Sequence, residues 1–310
     1  MKFMSEKNDK TINFWIHALS AIHVGTGKGA GYIDLPISRE KVTNWPYIPG
    51  STIKGVIADY YDASDSGDRR EKDKKKKAAF GIAGDNNSSA GSLVFTDARI
   101  VCLPVQSLYG TFAWCTSELV LRSLSRDLEW GKLCLEEEIP VAPENKVLVI
   151  EGSSLIEKSN KKIYLQELDM DTQICEKTER LAEKIANLVF PDDEEWIKIF
   201  KERFTILPEN VFNYFSEMGT QVEAKIRIDP DTKVVDKKQG GLWYQEALPA
   251  ETILTGMVWC DKVYEKNIQA KELTDKYCTG KKTIQIGGKN TTGQGRITLS
   301  FMEAKNKKED

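Results

Sequence analysis

The chain has 310 residues, 40% of them hydrophobic, with 44 basic side chains against 47 acidic and a formal net charge of −3. That composition suits a soluble globular protein with a substantial core, and it excludes gripping nucleic acid by overall positive charge, though not through a local basic groove. No stretch approaches 18 uninterrupted apolar residues and the first residues lack a signal peptide's apolar run, so a cytoplasmic protein with no membrane partner is expected.

Residues 11 to 24 are rich in aromatic and β-branched types and read as a first strand, which would put His17 and His23, the only histidines, on one face. A glycine-rich stretch follows, His23-Val-Gly25-Thr-Gly27-Lys28-Gly29-Ala-Gly31-Tyr-Ile-Asp34-Leu-Pro36. Its glycines imitate a dinucleotide fingerprint, but that motif needs a helix starting there, and Pro36, Pro46 and Pro49 leave no helical spacing. What survives is a loop whose main chain and Lys28 can approach a polyanion, with Asp34 at its far end. Asp34 capping a turn before Leu35-Pro36 is the plainer alternative. Gly50, Ser51 and Lys54 then open a helix with apolar residues at Ile53, Val56, Ile57, Tyr60 and Tyr61. The free N–H groups at that terminus suit a phosphate, and ordinary capping accounts for the same residues.

Residues 62–92 are polar and lysine-rich, including the run Lys74 to Lys77, and read as a flexible insertion or lid. Leu93 to Leu103 reads as a strand, and Ser117 opens a helix with Val120, Leu121, Leu124 and Leu128 on one side. Two helical patterns lie between 171 and 205, inside a helical insertion over 171–215. Strands return from 221 to 301, among them a hairpin over 222–250 that projects Leu242, Trp243 and Tyr244, side chains able to wedge between bases or to pack the hairpin down. Near the end, Gln285-Ile-Gly287-Gly288-Lys289-Asn-Thr291-Thr-Gly293-Gln-Gly295-Arg296 is no Walker loop, yet its glycines let main chain lie against phosphates; a plain hairpin turn is the competing account. The six cysteines are at least 13 residues apart with no Cys-x-x-Cys, so they read as buried reduced thiols. Together these elements predict one elaborated α+β domain spanning 1–310 with an antiparallel sheet.

The segments His23–Gly27 with Ile33–Ile37, Tyr47–Ser51 with Lys54-Gly55, Ser107–Trp114 with Thr116-Ser117, Gly240–Tyr244 and the terminal glycine loop, in this order, resemble the RAMP superfamily of CRISPR proteins. The resemblance is strongest to the repeated backbone subunit of the type III-B effector. It implies a ferredoxin-like, RNA-recognition-type core with a hairpin thumb and a lid. It further implies copies stacked head to tail along a guide RNA (crRNA), each thumb interrupting the guide–target duplex about every sixth nucleotide. An open filament of this kind needs a head-to-tail contact that does not close, and sequence choice then rests on base pairing. Other effector subunits are implied partners.

In the family, cleavage depends on an acidic residue after the first strand, and Asp34 matches that position. A carboxylate ionised at neutral pH is a feeble proton acceptor, so Asp34 is expected to hold a divalent metal, Mg2+ or Mn2+, while the target's own 2′-hydroxyl attacks. His23 is the second catalytic candidate, orienting or neutralising the phosphate, with simple packing as its alternative. The resemblance gives RNA-binding roles to Lys28, Gly50, Ser51, Lys54, Gly287, Gly288, Lys289, Thr291, Gly293, Gly295 and Arg296. Glu118 replaces a proline of the family pattern, and the 62–92 insertion is longer than usual. A non-catalytic guide-binding scaffold and a guide-processing endoribonuclease are the alternatives.

Overall fold

The computed structural model describes residues 11–27, 29, 31–64, 73–82, 88–135, 138–228, 234 and 241–302; Lys28, Gly240 and most of the hairpin tip lie outside them. In chain order the elements are β1 (Ile12–Ala18), β2 (Tyr47–Ile48), α1 (Gly50–Ser64), α2 (Lys74–Phe80), β3 (Gly81–Ile82), β4 (Ser89–Ala90), β5 (Val94–Phe95), β6 (Ala98–Gln106), β7 (Phe112–Ser117) and α3 (Glu118–Trp130). There follow β8 (Lys146–Val149), β9 (Lys162–Leu165), β10 (Leu168–Ile174), α4 (Glu176–Val189), α5 (Glu194–Arg203), β11 (Phe204–Leu207) and α6 (Glu209–Met218). The chain closes with β12 (Gln221–Ile226), β13 (Leu242–Ala247), β14 (Ile253–Trp259), α7 (Ala270–Tyr277), β15 (Lys281–Gln285) and β16 (Arg296–Met302).

One sheet runs β15-β16-β1-β14-β6-β7-β11-β8-β10-β9, with β2 added on β6 and β5 on β14. Only the β7–β11 and β8–β10 pairs in it are parallel. Within it, β1-α1-β6 and β14-α7-β16 form a βαββαβ unit whose strands stand in the order β16-β1-β14-β6. That is the four-one-three-two order of a ferredoxin-like core, as expected. Everything from β7 to β13 is inserted between its second and third strands.

Both faces of β1 are covered, which is why its sequence does not alternate cleanly. Phe14, Ile16 and Ala18 join Ile53 and Ile57 of α1 in one cluster, while Trp15 packs with Leu121, Leu124 and Leu128 of α3 in the other. Ser117 caps α3 by accepting from the Val120 amide at 3.4 Å, and the buried set is Val120, Leu121, Leu124 and Leu128, as the spacing predicts.

Other expectations give way. The first strand ends at Ala18 rather than near 24, because the Leu19 and Ser20 amides both turn to the Arg296 carbonyl, at 2.8 and 3.2 Å. His17 and His23 therefore share no strand. His17 bonds Glu251 at 2.6 Å and packs edge-on against Phe190. In the lysine-rich insertion, residues 74–80 are a helix capped by the Asp73 carboxylate, and Lys76 is buried with its ammonium 3.8 Å from Asp62. Residues 168–174 form a strand where a helical pattern was expected from 171, and α4 starts only at Glu176. Cys134 is exposed and Cys175 half-buried, whereas the other four cysteines are buried. Among the described residues no helix is long and apolar enough to cross a membrane.

Candidate nucleic-acid interface and cleavage site

The hairpin of β12 and β13 stands apart as a two-stranded sheet. Directly paired residues share a face, so Val222, Ala224 and Ile226 lie on one side with Tyr244 and Leu242. Val222, Ile226, Leu242 and Tyr244 are 43 to 55% exposed, an open apolar surface of the kind a wedge requires. Trp243 points to the opposite side, beside Lys225, and is half-buried.

The other edge of β13 is occupied by the end of the first glycine loop. Leu35 donates to the Tyr244 carbonyl at 3.1 Å and its own carbonyl accepts from Glu246 at 3.0 Å. The Tyr244 amide donates to Asp34 Oδ2 at 2.8 Å, leaving the carboxylate exposed at the foot of the hairpin. Upstream, the Gly29 amide donates to the Asp34 carbonyl at 2.9 Å, closing the loop on itself. An Asx-type cap of a local turn would use an amide two residues on; Asp34 instead takes one from a strand 210 residues away.

Glu246 is 2% exposed, and its carboxylate accepts from the Ile37 amide (3.0 Å), Thr220 Oγ1 (2.9 Å) and Arg39 Nη2 (2.5 Å). Its carbonyl accepts from His23 Nδ1 at 2.7 Å. A carbonyl can only accept, so the proton sits on Nδ1 and the neutral tautomer keeps its lone pair on Nε2. The ring is buried beneath Gly25, where a Cβ would stand 2.8 Å from Nε2.

The second glycine loop arrives beside the first because β16 begins where β1 ends, Ile297 pairing with Ala18. Gly288 donates to the His23 carbonyl at 2.9 Å and Gly295 to Ala21 at 2.8 Å. Gly287, Gly293 and Gly295 all have φ of +81°, and Lys289 itself sits at +67°. A Cβ on Gly295 would lie 2.0 Å from the Ile286 carbonyl oxygen. Gln294 reaches β13 through a buried amide bond, Gln245 Nε2 to Gln294 Oε1 at 2.7 Å. Lys289, Thr291 and Arg296 remain exposed. Thus β13 ties together Asp34, His23 and both glycine loops.

The start of α1 is different. The Gly50 amide donates to Asp97 Oδ1 at 2.8 Å, and the Thr52 and Ile53 amides turn to the Pro49 carbonyl. Lys54 Nζ donates to the Leu93 carbonyl at 2.7 Å, and burial lowers its pKa. At this terminus the Gly50 amide and the Lys54 ammonium are thus taken by the protein's own Asp97 carboxylate and Leu93 carbonyl, while Ser51 is exposed. The terminus also lies elsewhere: Thr96 bonds Met257, which pairs with Asn13, whereas the glycine loops begin beyond Ala18. Four to five strand residues at about 3.3 Å each separate the two ends.

Comparison with known proteins gives the family. A model of the RAMP superfamily matches residues 15–298. The chain belongs to the RAMP superfamily. It is 32% identical over 308 residues to the CRISPR system Cmr endoribonuclease Cmr4 of Pyrococcus furiosus, covering 94% of this chain and 95% of that one. The crystal structure of oligomeric Cmr4 from Pyrococcus furiosus superposes with a TM-score of 0.72 at 25% identity, over 96% of this chain and 99% of the other. A chain of a type III-B Cmr-β complex bound to cognate target RNA shares the fold at 20% identity, with a TM-score of 0.68 over 94% and 96% of the two chains.

In this RAMP chain the residues that sequence reasoning passed over are Arg39, Gln245, Glu246 and Gln294. The signal for Glu246 was available: a charged residue inside Leu242-Trp-Tyr-Gln-Glu-Ala-Leu248 must face solvent or find a buried partner. As for a metal, no group of three or more His, Cys, Asp or Glu among the described residues could enclose one. Asp34 offers an exposed carboxylate at the hairpin foot, a donor that suits an ion which keeps most of its water and takes phosphate oxygens.

Proposed function

We propose that this chain is the repeated backbone subunit of a type III-B CRISPR ribonucleoprotein, binding guide RNA and cleaving the complementary target RNA at about six-nucleotide intervals. The observation that carries the reading is the Asp34 carboxylate bonded to the Tyr244 amide, in a chain similar over nearly its whole length to a Cmr endoribonuclease. The apolar face of the β12–β13 hairpin opens the duplex, and the nucleotide turned out beside it lies over Asp34. There the 2′-oxygen attacks the neighbouring phosphorus in line, its proton passes to solvent, and the 5′-oxygen leaves and takes up a proton. The products are a 2′,3′-cyclic phosphate and a 5′-hydroxyl. A hydrated Mg2+ or Mn2+ held by Asp34 would offset the charge that builds on the phosphate. His23 keeps the glycine loop in place under β13, while Lys289, Thr291 and Arg296 with the loop glycines take guide phosphates. Copies of the chain stack head to tail with other effector subunits at the ends.

The test is the assembled complex carrying Asp34→Ala. Target binding should stay within about twofold of the unaltered complex while the regular product ladder disappears. A ladder that persists contradicts the catalytic role and leaves the chain a guide-holding scaffold.

A further inference from the structure

The strongest unexplained feature near the site is Arg39, a side chain that reaches three parts of the chain at once. Nη2 donates to Glu246 Oε1 at 2.5 Å; Nη1 donates to the Asn44 carbonyl at 2.8 Å and the Ser216 carbonyl at 2.9 Å. The guanidinium is largely buried, with 17% of the side chain exposed, and the Glu246 side chain is 3% exposed. Glu246 in turn binds Thr220, the residue before β12, and Ile37 on the Asp34 segment. Arg39 therefore joins the glycine-loop exit, the end of α6 and the roots of both hairpin strands.

The register of the 34–37 segment on β13 rests on two main-chain links and two that join a main-chain amide to a carboxylate. Leu35 to Tyr244, Glu246 to Leu35 and Tyr244 to Asp34 bond along the strand, and Ile37 to the Glu246 carboxylate fixes the far end. That last link holds only while the buried carboxylate stays pointed inward, which needs a fixed partner on its other oxygen, and Arg39 is that partner. A planar guanidinium bonded to two carbonyls cannot swing away; an ammonium in the same place can.

We infer that Arg39 is a positioning residue that, through Glu246, holds the Asp34 carboxylate in fixed register with the hairpin that opens the target strand. This rests on the cleavage role proposed for Asp34 and adds the element that sets where the cut falls. Arg39 touches no RNA in this account.

The experiment compares assembled complexes carrying Arg39→Met, Arg39→Lys, and Asp34→Asn, using a fully complementary end-labelled target and equal amounts of assembled complex. For Arg39→Met, target affinity should stay within about threefold. The single-turnover rate should fall at least tenfold, and each product band should spread to neighbouring linkages. Arg39→Lys should restore part of the rate. Hydrogen exchange on the isolated chain gives a second readout independent of cleavage: the Ile37 and Tyr244 amides should exchange at least tenfold faster in Arg39→Met, while the Leu121 and Leu124 amides of α3 are unchanged. Sharp bands at the original rate overturn the inference, whatever the exchange shows. Slowed cutting with equally sharp bands and unchanged Ile37 exchange also overturns it, since that would be a general structural loss. Continued cutting by Asp34→Asn overturns the underlying cleavage reading instead, and the exchange arm then still decides whether Arg39 fixes the segment.

Discussion

At the scale of single residues, the exposed and the committed cations make different predictions. Lys289 and Arg296 stand exposed on the second glycine loop and its exit. Neutralising either should weaken guide binding by about 1–3 kcal/mol and to the same extent for unrelated guide sequences, because phosphate contacts carry no base information. Filter binding on two guides of different sequence checks this, and a sequence-dependent loss would argue for base readout. Lys54 also serves the fold: Lys54→Met removes the Leu93 carbonyl's bond to the ammonium and should lower the urea midpoint. Gly295 is constrained more sharply still. With φ at +81° and only 2.0 Å between a Cβ and the Ile286 oxygen, Gly295→Ala should cost about 1–3 kcal/mol in urea unfolding. Chelation with EDTA should abolish the ladder without releasing the target, and Mg2+ or Mn2+ should restore it; cutting that continues in EDTA would remove the metal from the mechanism.

At the scale of elements, β13 is the structural hub, and its links to the two glycine loops are separable. Gln245 and Gln294 form a buried amide pair, so Gln294→Leu strands a buried donor at about 1–3 kcal/mol. It should loosen the second loop, seen as faster exchange at Gly288 and Gly295, while Asp34 stays bonded to Tyr244. Local elements were legible where a periodic apolar pattern met a capping residue. The α3 set from Ser117 to Leu128 is of that kind, and so is the strand that returns through Leu242, Trp243 and Tyr244. The Asp34 position was legible only through its resemblance to a family pattern, since a carboxylate before Leu-Pro fits a turn equally well. What stayed hidden were the pairings across 207 to 210 residues, Arg39 with Glu246 and Asp34 with Tyr244. No spacing encodes them, because they depend on which sheet edge the loop reaches. The start of α1 was only half legible for a related reason: nothing in its spacing shows that Asp97, 47 residues downstream, takes the Gly50 amide.

At the scale of the whole molecule, the buried thiols set an alkaline limit. Burial pushes the Cys278 thiol up to about 12 from an ordinary value near 9, and the Cys102 thiol is also raised by burial and by neighbouring Cys115. The unfolded chain loses these protons first as pH rises, so their contribution is complete below about pH 9 and is lost progressively toward pH 12. The melting temperature should fall between pH 8.5 and 10.5, and Cys278→Ala should make that fall shallower; an identical slope would show that other groups control it. In the assembly proposed above each cut depends on the Asp34 carboxylate of one protomer, and mixed complexes test this most directly. Complexes assembled with increasing fractions of Asp34→Asn chains should lose every band of the target ladder in proportion to the fraction added, with the spacing unchanged. Bands that stay at full strength, or a ladder that collapses when only a small fraction of chains is altered, would contradict it.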